Sequence, residues 1–475
     1  MLFNSLDFAI FLPLVFILYW FVFKRWLSAQ NVLLLVASYV FYAWWDWRFL
    51  GLIVFSTLVD YTVARGLAKA QKPYKRKLLL GISLICNLGL LGFFKYYNFF
   101  VDSWVDAWGS IGVSLSVETL SIILPVGISF YTFQTLSYTI DVYRRQLEPT
   151  KNMVQFATYV AFFPQLVAGP IERAKQLLPQ FSKPRVFDSD FAISGVSLII
   201  WGLFKKMVVA DNCAFFVNQI FDGSGGYSSA ELFLGAVLFA FQIYGDFSGY
   251  SDIAIGVARL FGFNLMTNFS FPYFSRDIAE FWRRWHISLS TWFRDYLYIP
   301  LGGSRGRMWF QIRNVFIVFL VSGFWHGANW TFIIWGGIHA LLFLPLLIGG
   351  KNRNYIDGTR MRLREVPRIL LTFIFVCLAW IFFRADTVTI AWTLLEDLVR
   401  FDSLSLELFY SSSKSLLFSA ITALGILVLL FYEFRTVQKN KQEVVLSTFH
   451  VIFIAVLIVF MGVYKNPVDF IYFQF

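Results

Sequence analysis

Charged side chains are scarce in this chain of 475 residues: Lys, Arg, Asp and Glu make up 15% of it. A typical soluble protein has roughly 25% charged residues. Hydrophobic residues make up 58% of the chain, and apolar runs near the ~20 residues that a helix needs to cross a bilayer recur from end to end. A soluble fold would leave far more apolar surface than one core could bury. We therefore predict an all-α, polytopic membrane protein.

Cysteine is also rare, and Cys86, Cys213 and Cys377 lie far apart, in or beside apolar sequence. They form no CxxC pair and no zinc-ligand spacing, so we predict no metal site. The chain lacks the GxSxG, P-loop, HExxH and HxxxD motifs of soluble enzymes. Its first twenty residues lack the basic n-region of a secretory signal peptide, and we expect them to form a retained first helix.

The net charge of +11 is distributed over loops of alternating sign. Two short loops are basic: one contains Arg65, Lys69, Lys72, Lys75, Arg76 and Lys77, and the other contains Lys351, Arg353, Arg360, Arg362, Arg364 and Arg368. Alternate loops are acidic, with Asp102, Asp106, Glu118, Asp211, Asp222, Glu231, Asp386, Glu396, Asp397 and Asp402. This is the positive-inside pattern, so the charge indicates membrane topology and not a nucleic-acid partner.

If the basic loops are cytoplasmic, the apolar runs predict about 11–12 transmembrane helices, with both termini outside the cytoplasm. The predicted crossings lie near residues 8–23, 31–48, 50–66, 78–94, 119–141, 191–210, 229–246, 311–326, 330–349, 367–384, 414–432 and 446–464. The sequence contains no repeat at a fixed period and no low-complexity segment. We therefore expect residues 1–475 to form a single membrane domain.

Three apolar stretches do not look like ordinary crossings: residues 154–181, 245–263 and 275–305. The first is interrupted by two prolines and a glycine, the second contains Asp246 and Asp252, and the third is strongly charged. Polar or non-helical backbone at membrane depth is tolerated only where protein or a water-filled cavity surrounds it. We therefore expect re-entrant or in-plane helices that line an internal cavity.

The residues around His286 have the spacing of an amphipathic helix that lies at the membrane surface. One face of that helix would carry Trp282, Trp285, Leu289, Trp292, Phe293 and Tyr296, and the other would carry Arg283, Arg284, Thr291, Arg294 and Asp295. His286 projects toward the aromatic face. It is either a snorkelling or capping cation or an inward-facing imidazole beside arginines, whose guanidinium groups suit a phosphorylated donor.

The segment SGFWHGANWTF, residues 322–332, places His326 between two apolar runs whose outer ends are basic, which predicts a helical hairpin. The small residues around His326 allow close helix packing or leave room for a substrate. Trp325 and Asn329 carry hydrogen-bond donors. Two interpretations remain open: a solvated histidine in a wet turn, or a neutral imidazole that removes a proton from a hydroxyl. His339, further along the second helix, is expected to be a hydrogen-bonded core residue.

The two histidine blocks carry a resemblance to a known family. EFWRRWHISLSTWFRDYLYIPLGGSR and SGFWHGANWTFIIWGGIHA closely resemble the membrane-bound O-acyltransferase family, and within it the bacterial alginate O-acetyltransferase branch. The segments MLFNSLDFAIFLPLVFILYW, FFPQLVAGPIERAKQLLPQF and YGDFSGYSDIAIG also look like that branch. The resemblance covers most of the chain and is less diagnostic beyond about Ala385.

The resemblance implies many helices around a tunnel that joins the two membrane faces, with a catalytic core at about residues 150–350. It implies that His326 is the family's essential histidine and that His286 matches a second position, which is Asn in many eukaryotic members. It further implies an O-acetyltransferase of the bacterial inner membrane that takes acetyl from cytoplasmic acetyl-CoA and binds no permanent cofactor. An extracytoplasmic acetyltransferase or carrier partner would then modify a polysaccharide.

In this interpretation, His326 activates a hydroxyl, and His286, Asn329 or the indole N–H of Trp325 orients the thioester carbonyl. The donor would enter from the cytoplasmic side, near the arginines Arg283, Arg284 and Arg294.

Other functions also fit the sequence. A proton-coupled transporter or polysaccharide exporter would use membrane-depth Asp60, Asp246 and Asp252 as a relay, although repeat symmetry is lacking. A non-catalytic scaffold of an envelope complex is a third class. Within the acyltransferase interpretation, alginate, another exopolysaccharide, cellulose and peptidoglycan are possible acceptors, and D-alanyl transfer to teichoic acid is a more remote alternative.

Overall fold

The computed structural model describes residues 1–223, 225–356, 361–401, 403–464 and 470–471. Throughout these ranges the regular structure is helical, and they contain no β-strand. The chain groups into two compact units: the first is Met1–Ala192 with Val257–Leu265, and the second is Ile193–Gly256 with Met266–Phe475. The all-α class is therefore confirmed, whereas the single membrane domain stays a prediction.

The first unit contains helices α1 to α8. Their bounds are α1 Leu6–Ile17, α2 Leu27–Ala43, α3 Leu50–Lys69, α4 Pro73–Leu91, α5 Tyr97–Gly109, α6 Ile128–Tyr143, α7 Met153–Ala161 and α8 Ala174–Leu177. A buried carboxylate joins three of them, because Asp60 of α3 accepts hydrogen bonds from Asn87 of α4 at 2.9 Å and Thr139 of α6 at 3.0 Å. Such internal partners are what a polar group at membrane depth requires.

Helix α6 is enclosed by the first unit, since fourteen of its sixteen residues are buried. Residues 113–125, which precede it, form no helix. The crossing predicted near residues 119–141 is therefore wrong in its first half, and its second half is a helix packed inside the protein. An apolar run indicates burial, but it does not distinguish burial in lipid from burial in protein.

The stretch at residues 154–181 has the irregular backbone that its prolines and glycine predict. Helix α7 ends at Ala161, and residues 162–171 continue without α-helix. All ten of these residues are buried. Non-helical backbone is thus enclosed by protein, as the expectation for this stretch requires.

The second unit contains most of α9 and α11 and all the later helices. The bounds are α9 Ser189–Leu203, α10 Asp211–Asp222, α11 Ser229–Leu260, α12 Ile278–Arg284, α13 Ile287–Phe293, α14 Met308–His326, α15 Trp330–Ile348, α16 Val366–Arg384, α17 Val388–Arg400, α18 Glu407–Tyr410, α19 Ser413–Gln438 and α20 Thr448–Met461. A π-helical turn at Phe204–Ala210 joins α9 to α10.

Eight helices of the described residues are long and apolar enough to cross a membrane. They are Trp47–Lys69, Pro73–Gly109, Ser189–Asp222, Ser229–Leu260, Met308–His326, Trp330–Ile348, Leu363–Arg384 and Ser413–Gln438. Three shorter apolar helices, Leu6–Val22, Leu27–Ala43 and Thr448–Met461, also coincide with predicted crossings. The chain is thus a multi-pass membrane protein.

The re-entrant element expected at residues 245–263 is wrong, because α11 runs without a break to Leu260. Its glycines serve close packing: a Cβ at Gly249 would lie 2.7 Å from the carbonyl oxygen of Gly202 in α9. Its charges are neutralised by buried lysines, as where Lys206 Nζ lies 2.8 Å from a carboxylate oxygen of Asp246. Glycine and aspartate therefore fit a continuous helix here.

Candidate active site

His326 is the last residue of α14, at the turn of the predicted hairpin with α15. The two helices touch through their backbones: a Cβ at Gly323 would lie 2.2 Å from the carbonyl oxygen of Phe332. One at Gly336 would lie 2.3 Å from the carbonyl oxygen of Phe319. Glycine at these two positions therefore serves helix packing, and does not provide space for a substrate.

The imidazole of His326 is enclosed by aromatic rings. The residue is 2% exposed, and its ring packs against Trp325, Trp335 and Phe383 at centroid distances of 4.9, 5.1 and 5.5 Å. The interpretation of His326 as a solvated residue in a wet turn is therefore wrong.

The amphipathic helix predicted through residues 275–305 is broken at His286. Helix α12 ends at Arg284 and α13 begins at Ile287. Between them, His286 has left-handed backbone angles, φ 44° and ψ 54°. A residue with a side chain is strained there by roughly 1–3 kcal/mol and persists only where its surroundings hold it. The break leaves His286 fully buried, with 0% exposure.

Asn268 holds His286 in this conformation. Its backbone carbonyl accepts a hydrogen bond from the Ile287 N–H at 2.8 Å. Its side-chain Oδ1 lies 3.1 Å from Nδ1 of His286 and accepts from the Ser288 hydroxyl at 2.8 Å. The Asn268 amide in turn donates to the Ser251 hydroxyl at 3.0 Å. One polar side chain thus contacts both the backbone break and the imidazole.

Sequence analysis missed Asn268 because it lies in residues 263–269, which form no helix and have no periodicity. The available signal was a polar residue between apolar neighbours in MTNFSF. A buried amide in irregular backbone needs a partner, but the sequence did not reveal that the partner is His286.

The environment of His286 keeps the imidazole neutral. Its ring packs edge-on against Phe247 at a centroid distance of 4.7 Å and stacks with Phe269 at 6.2 Å. Because burial removes water from the charged form, the pKa of His286 is lowered from 6.5 to about 3. The interpretation of His286 as a snorkelling or capping cation is therefore wrong.

The structure brings His286 and His326 together, with ring centroids 6.4 Å apart. A ring nitrogen lies about 1 Å from its centroid, so the two rings are too far apart for a direct hydrogen bond of about 3 Å. One small polar group fits that spacing. Trp325 adjoins both imidazoles, at centroid distances of 6.0 Å from His286 and 4.9 Å from His326.

Asn329 has a structural role in the hairpin. Its Oδ1 accepts from the Thr331 N–H at 3.0 Å, which caps the N-terminus of α15. Its amide nitrogen donates to the carbonyl oxygen of Asp386 at 2.7 Å. These contacts account for asparagine at this position without a substrate.

A cavity of about 550 Å³, here called the hairpin cavity, lies beside α13, α14 and α15. Arg294 and Arg353 line its outer end, near the basic ends of the hairpin. Trp282 and Ser322 line it further in. Ser322 is four residues before His326, or about 6 Å along the helix axis. The cavity thus leads from a basic surface to about one helical turn from the buried histidine.

The three arginines predicted to bind the donor do not share one cavity. Arg294 lines the hairpin cavity, whereas Arg283 and Arg284 line a second, more polar cavity of about 510 Å³. Arg284 donates to Glu280 at 2.6 Å, and Arg283 donates to the carbonyl oxygen of Asn352 at 2.9 Å. The break at His286 separates them, because residues on the two sides of a break no longer share one helical face.

His339 is a buried, hydrogen-bonded residue, as expected. Its Nδ1 accepts from the indole N–H of Trp282 at 3.3 Å, and the residue is 0% exposed. Trp282 also packs against Trp335 at a centroid distance of 5.7 Å. Since Trp335 also contacts His326 at a centroid distance of 5.1 Å, Trp282 and Trp335 connect the lining of the hairpin cavity to the histidine.

The sequence model of the MBOAT, membrane-bound O-acyltransferase family, matches residues 144–392, which include His286 and His326. The chain belongs to the membrane-bound O-acyltransferase family. Its resemblance to that family is therefore confirmed, and the protein is an acyltransferase.

Relatives within the membrane-bound O-acyltransferase family cover most of the chain. A probable alginate O-acetylase AlgI from Azotobacter vinelandii is 42% identical over 92% of this chain and 85% of its own length. A peptidoglycan O-acetyltransferase from Helicobacter pylori is 38% identical over 86% of this chain and 81% of its own. A teichoic acid D-alanyltransferase from Bacillus subtilis is 28% identical, over 54% of this chain and 68% of its own.

Proposed function

We propose that this membrane-bound O-acyltransferase passes an acetyl group from cytoplasmic acetyl-CoA across the membrane to a hydroxyl on the path toward an extracytoplasmic polysaccharide, with an extracytoplasmic acetyltransferase or carrier protein as its partner. The observation that carries the proposal is the pair of buried imidazoles, His286 and His326, with centroids 6.4 Å apart. Two histidines held in an apolar interior at a spacing that admits one small polar group suit proton transfer at that group. The names of the relatives support acetyl as the transferred group and polysaccharide as its acceptor.

The donor enters through the hairpin cavity. By the positive-inside rule, the basic end of the hairpin cavity faces the cytoplasm. Arg294 and Arg353 at that end can hold the phosphate groups of the donor. The largely apolar path between Val315, Phe319 and Phe343 accommodates the thin arm of a thioester donor. Arg283 and Arg284 line the other cavity, and Arg283 contacts the hairpin cavity through its hydrogen bond to the carbonyl of Asn352.

The reaction is an attack of a hydroxyl oxygen on the thioester carbonyl carbon. His326 takes the hydroxyl proton as the carbon–oxygen bond forms. The carbon–sulfur bond then breaks, and the imidazolium returns the proton to the leaving thiolate. The products are the acetyl ester and the free thiol, so atoms and charge balance without a permanent cofactor or a metal ion.

The acceptor is an alginate-like or other exopolysaccharide, because relatives named for alginate are about 40% identical over most of the chain. Peptidoglycan is the next candidate, through a relative at 38% identity. An extracytoplasmic acetyltransferase or carrier completes the transfer, and the protein lies in the bacterial inner membrane with both termini outside the cytoplasm. The resemblance supports the partner and the inner membrane, and the alternating charge of the loops supports the orientation of the termini.

The transporter alternative receives no support from its aspartates. Asp60 accepts hydrogen bonds within the first unit. In the second unit, Asp246 and Asp252 lie 2.8 and 2.6 Å from the lysine ammonium groups of Lys206 and Lys205. A carboxylate neutralised by a fixed lysine is a poor carrier of an exchangeable proton. These residues therefore favour helix packing over a proton relay.

The experiment that tests this function replaces His326. Purified His326→Ala in liposomes, supplied with acetyl-CoA, the extracytoplasmic partner protein and an oligosaccharide acceptor, is expected to lose acetyl-ester formation by at least about 10³-fold relative to the wild type. His450→Ala is the matched control, because His450 lies in α20 and shares a hydrogen bond of 2.6 Å with Ser447 at the start of that helix. Undiminished ester formation by a correctly inserted His326→Ala protein would exclude the proposal.

A further inference from the structure

A backbone N–H, which can only donate, fixes which end of the Asn268 side-chain amide is the oxygen. The backbone N–H of Ser288 points to Oδ1 of Asn268 at 3.3 Å. A backbone N–H can only donate, so the atom that receives it must be the amide oxygen and not the amide nitrogen. The usual ambiguity between the two ends of an asparagine amide is thereby removed.

This orientation determines which nitrogen of His286 carries the proton. Nδ1 of His286 lies 3.1 Å from the same oxygen. An amide oxygen can only accept, so this hydrogen bond requires Nδ1 to donate, and in a neutral imidazole Nε2 then has no proton. The Ser288 hydroxyl also lies 3.5 Å from Nδ1, but it donates over the shorter distance of 2.8 Å to the Asn268 oxygen. The Ser251 hydroxyl, 3.0 Å from the Asn268 amide nitrogen, holds the amide from its other side.

We propose that Asn268 is a positioning residue that keeps His286 in the Nδ1-protonated tautomer, so that Nε2 accepts a hydrogen bond from a hydroxyl in the active site. The identity of that hydroxyl as the acyl acceptor rests on the function proposed above, but the tautomer itself does not. Burial, which lowers the pKa of His286 to about 3, is consistent with a neutral ring.

This assignment changes the part that His286 can take in the reaction. A neutral imidazole whose proton is on Nδ1 cannot donate a hydrogen bond from Nε2 to a developing oxyanion. His286 is therefore an acceptor that orients the hydroxyl side of the reaction. The tautomer thus removes His286 from the candidate oxyanion donors. The Asn329 side chain is used in capping α15 and in its bond to the Asp386 carbonyl, so we assign the oxyanion to the indole N–H of Trp325.

A direct test measures the tautomer. Nitrogen-15 spectra of histidine-labelled full-length protein in liposomes distinguish Nδ1–H from Nε2–H, and the chain has only four histidines. The signal absent from His286→Asn protein identifies residue 286. We expect Nδ1–H in the wild type and a shift toward Nε2–H in Asn268→Ala. An Nε2–H signal in the wild type overturns the proposal.

A kinetic test measures how the loss of Asn268 changes kcat and KM. Asn268→Ala is expected to lower kcat by about 10–100-fold with little change in KM, as the loss of an orienting partner typically does. Asn212→Ala, which removes an amide that donates to the Val208 carbonyl at 2.8 Å, controls for the loss of a buried asparagine. Equal kcat values for Asn268→Ala and the wild type overturn the proposal.

Asn268→Asp adds a pH signature that a merely structural role would not produce. A carboxylate beside Nδ1 favours the imidazolium and raises the pKa of His286. As pH falls through that raised pKa, Nε2 gains a proton and activity is lost, and raising the pH restores it. The wild type, with a pKa of about 3, has no such loss near neutral pH from His286. Identical pH profiles of kcat for Asn268→Asp and the wild type overturn the proposal.

The two proposals fail in different ways. If His326→Ala and His286→Asn retain full ester formation, the proposed function fails, whatever the spectra contain. If those variants are inactive but wild-type His286 carries its proton on Nε2, the function stands and the role of Asn268 fails.

Discussion

The close contact between α14 and α15 makes Gly336 a sensitive position that lies away from the reacting groups. A Cβ at Gly336 would lie 2.3 Å from the carbonyl oxygen of Phe319, whereas ordinary contact begins at 3.4 Å. Gly336→Ala must therefore separate the helix backbones by about 1 Å. The adjacent Gly337 is a matched control, because a Cβ there would meet only Leu320 Cδ2 at 3.7 Å.

The expected magnitudes follow from this difference. Forcing a methyl group into a well-packed contact destabilises a protein by roughly 1–3 kcal/mol. Gly337→Ala has no such clash, and removing glycine from a helix interior stabilises it by about 0.5–1 kcal/mol. A displacement of about 1 Å near a catalytic group can lower activity by about 10²-fold. Since His326 ends α14, Gly336→Ala should lower both stability and kcat.

The assay is thermal unfolding in detergent together with acetyl-ester formation in liposomes, with both variants measured beside the wild type. Gly336→Ala should unfold at a lower temperature than the wild type and lose most of its activity, while Gly337→Ala should match or exceed the wild type in stability. If both variants have the same melting temperature and activity, the backbone contact does not position His326, and the reasoning is refuted.

Two further predictions concern other groups of the second unit. Trp325→Phe keeps an aromatic ring beside both histidines but removes the indole N–H, so it should lower kcat by about 10²–10³-fold in the same assay. Trp309→Phe, at an exposed tryptophan, is the control. Full activity of Trp325→Phe would exclude an oxyanion role for the indole. Lys206→Ala leaves the carboxylates of Asp211 and Asp246, now 2.9 and 2.8 Å from its Nζ, buried without their cation. It should destabilise the protein by about 3–5 kcal/mol, and a melting temperature equal to that of the exposed-site control Lys439→Ala would contradict this.

The features that sequence could predict are those carried by local pattern. Apolar runs predicted the multi-pass all-α class, and the small residues and basic outer ends around SGFWHGANWTF predicted the hairpin that ends at His326. Local pattern gave a wrong prediction at residues 245–263, where glycine and aspartate suggested an interrupted helix. Gly249 instead packs against α9, and Asp246 pairs with Lys206 of the π-helical turn at Phe204–Ala210.

The site around His286 could not be predicted because its geometry depends on a distant residue. Aromatic periodicity continues through Trp285 and Leu289, so the pattern indicates one helix. The hydrogen bonds of Asn268, eighteen residues earlier, are associated with a break instead. That break also places Arg283 and Arg294 at different cavities, although a continuous helix would put them on one polar face.

The left-handed backbone of His286 has a consequence for substitution at that position. Considered by its backbone alone, position 286 suits glycine, which adopts these angles without the strain that a side chain meets there. A glycine would relieve that strain, but it would also leave a cavity beside Phe247 and remove a hydrogen-bond partner of Asn268. The packing and hydrogen bond of the imidazole therefore hold a backbone conformation that a residue with a side chain rarely adopts.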